Sequence, residues 1–293
     1  NQLGIKATSD AAFRLGLGMS LVQGAFFSFE ASKYSVDPWF DEYAVDVTNG
    51  PPKFGQAIPQ SAGAAQLRAH RGWLGQPLSA RKRIYDARFA PVQSLINQAG
   101  TFDLSISDWL PTNVTLTRDI STKMAGAASL RVSAPIADSL KLDGAFVTGP
   151  AVTLEPNTEY SITFAVRSVM NREIRVLFGD GGMQVIPVRA DWARRVVTFK
   201  TTAGGPTSVV FQVGRESSPV WIDSVQIFKG NANVFAREFE RGYVVVNATR
   251  APRTVTFDTP RRRIKGTQNP DINTGALEAS ASIPAYDSVI YVK

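Results

Sequence analysis

The sequence has no cysteine and a single histidine, His70. The first absence excludes disulfides and thiolate chemistry but leaves the compartment open, because secreted microbial proteins are often free of cysteine. The second removes the paired imidazoles that a zinc site or a histidine base would use, and His70 itself reads as a loop residue. No apolar run approaches the length needed to cross a bilayer, and no signal-peptide pattern opens the chain. The chain begins at Asn1 without Met, as expected of a processed protein or a fragment. Gly16-Leu17-Gly18 lacks the third glycine of a dinucleotide fingerprint, and Gly179-Asp180-Gly181-Gly182 joins two strand-like runs, so it reads as a hairpin turn rather than a phosphate loop.

Charge of one sign is also scarce. The formal net charge of +7 is spread along the chain, and the longest basic run is Arg261-Arg262-Arg263-Ile264-Lys265. That run reads as a solvated strand edge, and without interleaved exposed aromatics nucleic acid is not an expected partner.

What is present is enough apolar material, 44% over 293 residues, for two or three domains with real cores. Strand signals recur at Ser129 to Ser133, Tyr160 to Ser168, Ile174 to Phe178, Arg195 to Thr201, Val209 to Gly214 and Val220 to Phe228. Turn-forming stretches such as Glu155-Pro156-Asn157 and Gly204-Gly205-Pro206 separate them. Many short strands without a convincing helix predict a sandwich or jelly roll over residues 97–230. Ahead of it, Ser9-Asp10 can cap a helix to about Val22, with Phe13, Leu17 and Leu21 at helical spacing and Gly24 as the stop. Ala25 to Phe29 then reads as a buried strand ending at Glu30, the last beat of an α/β pattern.

The middle stretch also carries a resemblance. Phe102-Asp103, Trp109, Gly126 to Val132 and Leu154 to Tyr160, followed by Asp191-Trp192 and Val220-Trp221-Ile222-Asp223-Ser224-Val225, resemble a carbohydrate-binding module of the family four, nine and twenty-two type. The flanks, through Phe13 to Leu17, Gly24 to Phe29, Trp39 to Tyr43, Leu74 to Pro77 and Arg237 to Asn247, resemble the C-terminal part of uncharacterised TIM-barrel glycoside hydrolases. Together these imply a mainly β chain. Residues 1–96 would be an α/β remnant of a (β/α)8 barrel with a linker, 97–230 an inserted jelly-roll sandwich, and 231–293 a small antiparallel β-domain. Only about the last barrel unit is present, so the usual carboxylates of a glycosidase would lie upstream of Asn1.

Glu30 and Glu42 are the remaining candidates for chemistry, and Trp39 for sugar contact. Asp41 and Glu42 are neighbours, which in extended backbone face opposite ways and cannot flank one bond. In the sandwich, alternation sends Tyr160, Ile162, Phe164 and Val166 inward and Thr163, Ala165 and Arg167 outward, with Arg175, Gln184 and Gln212 expected to line the same sheet as a glycan-binding stripe. The resemblance assigns Trp192 and Trp221 to core packing. It also implies a structural calcium, with Asp223 at the matching position and Asp103 as a second candidate.

Three functions stay open on this reading. The first is a polysaccharide-binding, extracellular or cell-surface part of a glycoside hydrolase. The second is a hydrolase completed by a missing barrel portion or another copy of the chain. The third is a structural or adhesive protein that self-assembles.

Overall fold

A computed structural model describes residues 10–25, 40–42, 45, 73–84, 93–135 and 141–293. The chain divides into two compact units, Asn1–Ala90 with Ala232–Lys293, and Pro91–Asn231. In chain order the first unit contributes α1 (Asp10–Gln23) and β1 (Lys82–Arg83). The second contributes β2 (Leu110–Thr112), β3 (Thr115–Asp119), β4 (Ser129–Ser133), β5 (Phe146–Leu154), β6 (Glu159–Ser168), β7 (Arg172–Phe178), β8 (Met183–Val188), β9 (Ala193–Lys200), β10 (Gly205–Gln212) and β11 (Val220–Lys229). The first unit resumes with β12 (Val234–Glu238), β13 (Gly242–Asn247), β14 (Arg253–Arg263), β15 (Leu277–Ile283) and β16 (Asp287–Val292).

The second unit is a sandwich of two five-stranded antiparallel sheets, ordered β2-β5-β10-β7-β8 and β3-β4-β11-β6-β9. Alternation drives it. Ile162, Phe164 and Val166 from β6 face Ile174, Val176 and Phe178 from β7 and Val209 and Phe211 from β10 in one core, where each large side chain contributes on the order of 2 kcal/mol by leaving water. Phe164 meets Phe211 edge-on at 5.1 Å, and the Trp109 indole N–H, in the same core, donates to the Ala99 carbonyl at 2.8 Å. The unit begins before Asn97, because the Leu95 amide donates to the Ile227 carbonyl and the Ile227 amide to Ser94 Oγ.

Prolines mark the edges. Pro111 in β2 and Pro187 in β8 lie on the outermost strands of the first sheet, where a missing N–H breaks no ladder. In β11 a bulge at Asp223–Gln226, with Ser224 at φ 52°, lets Ile222 and Val225 both face the core, while Asp223 is buried on the other side of the strand against the 124–127 loop. Gly100 lies against this bulge, since a Cβ there would come within 1.9 Å of the Val225 carbonyl oxygen.

The first unit is built on a six-stranded antiparallel sheet, β1-β12-β13-β16-β14-β15. One face takes α1 through Phe13, Leu17 and Val22, together with Phe40 and Trp73, against Val244, Val246 and Ile290. Gly18 permits this contact, because a Cβ would stand 2.4 Å from the Ser288 side chain. On the other face Val255, Phe257, Ala281 and Ile283 of β14 and β15 curl over Val245, Val289 and Tyr291. The sequence-predicted helix is therefore present and rests on an antiparallel sheet. The barrel strand expected after it lies outside the described residues, apart from Ala25, which is not in a strand.

Candidate functional site

The alternation that buries Ile174, Val176 and Phe178 turns Glu173, Arg175 and Leu177 outward on β7. Strand register then aligns two outward rows across the first sheet of the sandwich. One is Thr112, Phe146, Gln212, Arg175 and Val185; the other is Leu110, Thr148, Val210, Leu177 and Met183. Arg175 and Gln212 stand directly opposite each other at the centre of the first row. Arg175 Nε and Gln212 Oε1 are shielded from water yet have no hydrogen-bond partner among the described residues. A shielded donor and acceptor left unsatisfied cost stability. Leu110, Met183 and Val185 are exposed and Phe146 is half-buried, giving an apolar shelf beside the polar pair.

The end of this face is held from below. The buried Arg172 guanidinium donates to the carbonyls of Val213, Gly214, Glu216 and Ser218, and burial pulls it below its ordinary pKa. That grip fixes the turn after β10, where Arg215, at φ 74°, approaches Glu173 at 3.9 Å.

The four residues of the expected stripe do not share this face. Arg167 lies on β6 in the other sheet, and Gln184 points between the edges of the two sheets, donating from Nε2 to the Thr198 carbonyl at 2.8 Å. Alternation assigns inside and outside within a strand but is silent on which sheet the strand joins. Trp221 is likewise not in the core. It is 8% exposed on the outer face of the second sheet, lying between the guanidinium groups of Arg131 and Arg167. The core tryptophan is Trp109.

The residues expected to hold calcium bond a nearby loop. Asp223 Oδ2 accepts the backbone N–H groups of Met124 at 2.7 Å and Ala125 at 3.0 Å, and Oδ1 accepts the Ser224 hydroxyl. Asp103 Oδ1 accepts the Ala127 amide. No group of three or more His, Asp or Glu side chains that could hold a metal ion occurs among the described residues. Both aspartates pin the 124–127 loop.

In the first unit Glu42 is 4% exposed and lies in a turn with Asp41. Because the backbone turns there, both carboxylates reach one amide: Asn273 Nδ2 donates to Asp41 Oδ2 at 3.1 Å and to Glu42 Oε1 at 2.9 Å. This corrects the expectation that the two face opposite ways. Asp41 also accepts the amides of Thr267, Gln268 and Asn269. Burial pushes the Glu42 carboxyl up to about 7, against the opposing pull of Asn273 and the Arg14 charge. Nearby, Arg14 forms a bidentate pair with Asp287 at 2.7 Å for both bonds, and Ser288 Oγ donates to the Arg14 carbonyl. Asp41 and Glu42 together hold the 267–273 loop. Glu30, Trp39 and His70 lie outside the described residues.

The basic run is structural as well. The Arg261 guanidinium lies 4.8 Å from the centre of the Tyr243 ring, Arg262 donates to the Gly275 carbonyl, and Arg263 is buried with Glu278. Asn247, in a glycosylation triplet, is fully buried, its amide donating to the carbonyls of Ala251, Ile283 and Pro284.

No protein-family model matches this chain, and no curated protein matches it in sequence. Among solved structures the chain is similar to a family 4 carbohydrate-binding module, at 20% identity over 44% of this chain and 99% of that one, with a TM-score of 0.37. It is similar to the N-terminal cellulose-binding domain of Cellulomonas fimi β-1,4-glucanase C, at 20% identity over 48% of this chain and 98% of that one, with a TM-score of 0.37. It is also similar to a family 22 xylan-binding domain from Paenibacillus barcinonensis, at 12% identity over 48% of this chain and 94% of that one, with a TM-score of 0.35.

Proposed function

We propose that the Pro91–Asn231 sandwich is a polysaccharide-binding module whose binding surface is the outer face of the sheet containing β5, β7, β8 and β10. The observation that carries this reading is the central Arg175–Gln212 pair, a planar donor fork and an amide side by side without partners among the described residues, beside exposed apolar side chains. Sugar rings offer hydroxyl rims and apolar C–H faces, and this surface offers a complement to each. The extended row suits a chain better than a single sugar.

The first unit then serves as a scaffold. Glu42, enclosed and bonded to Asn273, is a loop anchor in this reading, so this part of the chain supplies no catalytic carboxylate among its described residues. The protein acts outside the cell or at its surface, as the non-catalytic C-terminal part of a glycoside hydrolase, consistent with the sequence resemblance of its flanks. Asp223 and Asp103 stabilise the sandwich as loop anchors.

Affinity electrophoresis of the full chain through gels containing cellulose derivatives, xylan, mixed-linkage glucan or pectin tests the proposal. Retardation by at least one glycan, lost in Arg175→Ala and Gln212→Ala with unchanged melting temperature, is the expected result. Equal retardation of wild type and both variants would place binding elsewhere, and retardation by none would remove the function.

A further inference from the structure

The opposite face of the sandwich carries a second set of unpaired donors. Register places Arg131 of β4 and Arg167 of β6 on either side of Trp221 of β11. Their guanidinium carbons lie 5.7 Å and 5.5 Å from the indole ring centre. The indole N–H is fixed by Asp119 Oδ2 at 2.8 Å, while Asp119 Oδ1 takes the amides of Ser121 and Thr122. The aromatic plate is therefore held in place, and a guanidinium lies over it from each side. Stacking covers the apolar faces of a guanidinium and leaves its in-plane N–H fork unused.

No ion pair or hydrogen bond joins Arg131 or Arg167 to a described residue, although the Asp119 charge acts on Arg131, and the Nε atom of each is shielded from water without a partner among the described residues. Arg194 stands outward on β9 of the same face. Asp119 is the carboxylate at this end of the face, and its oxygens are already taken. Two strand spacings separate the arginines, roughly 10 Å. Packing alone would explain one arginine over a tryptophan; two flanking one fixed plate, both with forks unbonded to any described residue, match a ligand carrying oxyanions at intervals.

We propose that the Arg131–Trp221–Arg167 row is a second binding site, for the carboxylate or sulfate groups of an acidic polysaccharide. The site is independent of the Arg175 face. Each fork takes one oxyanion in a bidentate contact, and the intervening Trp221 edge contacts the sugar between them.

Calorimetric titration of the full chain with an oligogalacturonate, a sulfated oligosaccharide of equal length, a neutral cello-oligosaccharide and a short DNA duplex tests this. The expected result is that at least one acidic oligosaccharide binds about tenfold or more tighter to Arg175→Ala/Gln212→Ala protein than the neutral one does, and that Arg131→Gln/Arg167→Gln lowers this affinity by about tenfold or more. Binding by the carboxylated but not the sulfated probe, or the reverse, identifies the oxyanion. Arg131→Lys/Arg167→Lys keeps charge and stem, so its folded protein should still bind several-fold more weakly. In wild-type protein the affinity should fall as salt rises from about 50 to about 200 mM. Unchanged affinity in the Gln or Lys pair, insensitivity to salt, loss of acidic binding in Arg175→Ala/Gln212→Ala, or no acidic binding at all would each overturn the proposal. DNA binding of equal strength through the same two arginines would replace it with a general polyanion surface.

Discussion

The two units bury different kinds of side chain. In the sandwich, Phe164, Phe178 and Phe211 meet in an apolar core, and the buried charges, Arg172 and Asp223, hold loops at its ends. The other unit buries Arg14, Asp41, Glu42 and Asp287 in a network joining segments more than 220 residues apart in sequence. The first is specified by local alternation and closes on itself. The second is interrupted, and charge pairing supplies the specificity with which its distant pieces find one another, while its packing through α1 supplies the apolar burial.

The largest expected effect breaks the network. Arg14→Ala leaves Asp287 charged and buried, so it should cost about 3–5 kcal/mol in the transition of the first unit, measured by calorimetry. Phe211→Ala should cost a similar 3–5 kcal/mol or so in the sandwich through a cavity rather than a charge. The two are told apart by pH, because the network around Arg14 contains a buried carboxyl with a raised pKa and the Phe211 site is apolar.

That group is Glu42. Its carboxyl is raised to about 7 in the folded state, from an ordinary value of 4.5, chiefly by burial. Below the unfolded value both states hold the proton and the site carries no penalty. As pH rises through the folded value the penalty grows to its full size, so stability is lost between about pH 5 and 8. Glu42→Gln keeps the shape and removes the titration. It should stabilise the protein at pH 8 by up to about 3 kcal/mol and flatten the melting temperature across this range. A wild-type melting temperature that rises over the same interval would contradict the assignment. A smaller test concerns the sandwich: chelator should leave its melting temperature unchanged, whereas Asp223→Ala should cost about 1–3 kcal/mol by stranding the amides of Met124 and Ala125.

Much of this contrast is readable in the sequence, and where it is not there are physical reasons. Tyr160 to Ser168 and Val220 to Phe228 read as strands, and β6 and β11 follow them, the second with a bulge the sequence did not announce. The pattern Phe13, Leu17 and Leu21 matches α1. β5 was hidden by Gly149-Pro150 in its middle, which the sheet absorbs through an irregular register beside Ser208–Val210, and β8 by Pro187, tolerated because it is an edge strand. Arg175 and Gln212 were legible as outward residues. That Arg167 belongs to the other sheet was not, since strand order is decided by long-range pairing. The Arg14–Asp287 pair spans 273 positions and leaves no local signal. The Arg131–Trp221–Arg167 row was equally hidden, although alternation about Val220 and Ile222 would have turned Trp221 outward.

The most direct test of the central claim is hydrogen–deuterium exchange of the full chain with and without a saturating glycan found by affinity electrophoresis. Protection concentrated on β7, β8 and β10 around Arg175 and Gln212 is the predicted result. Protection confined to the first unit, or to the loops at the ends of the sandwich, would contradict a sheet-face binding site.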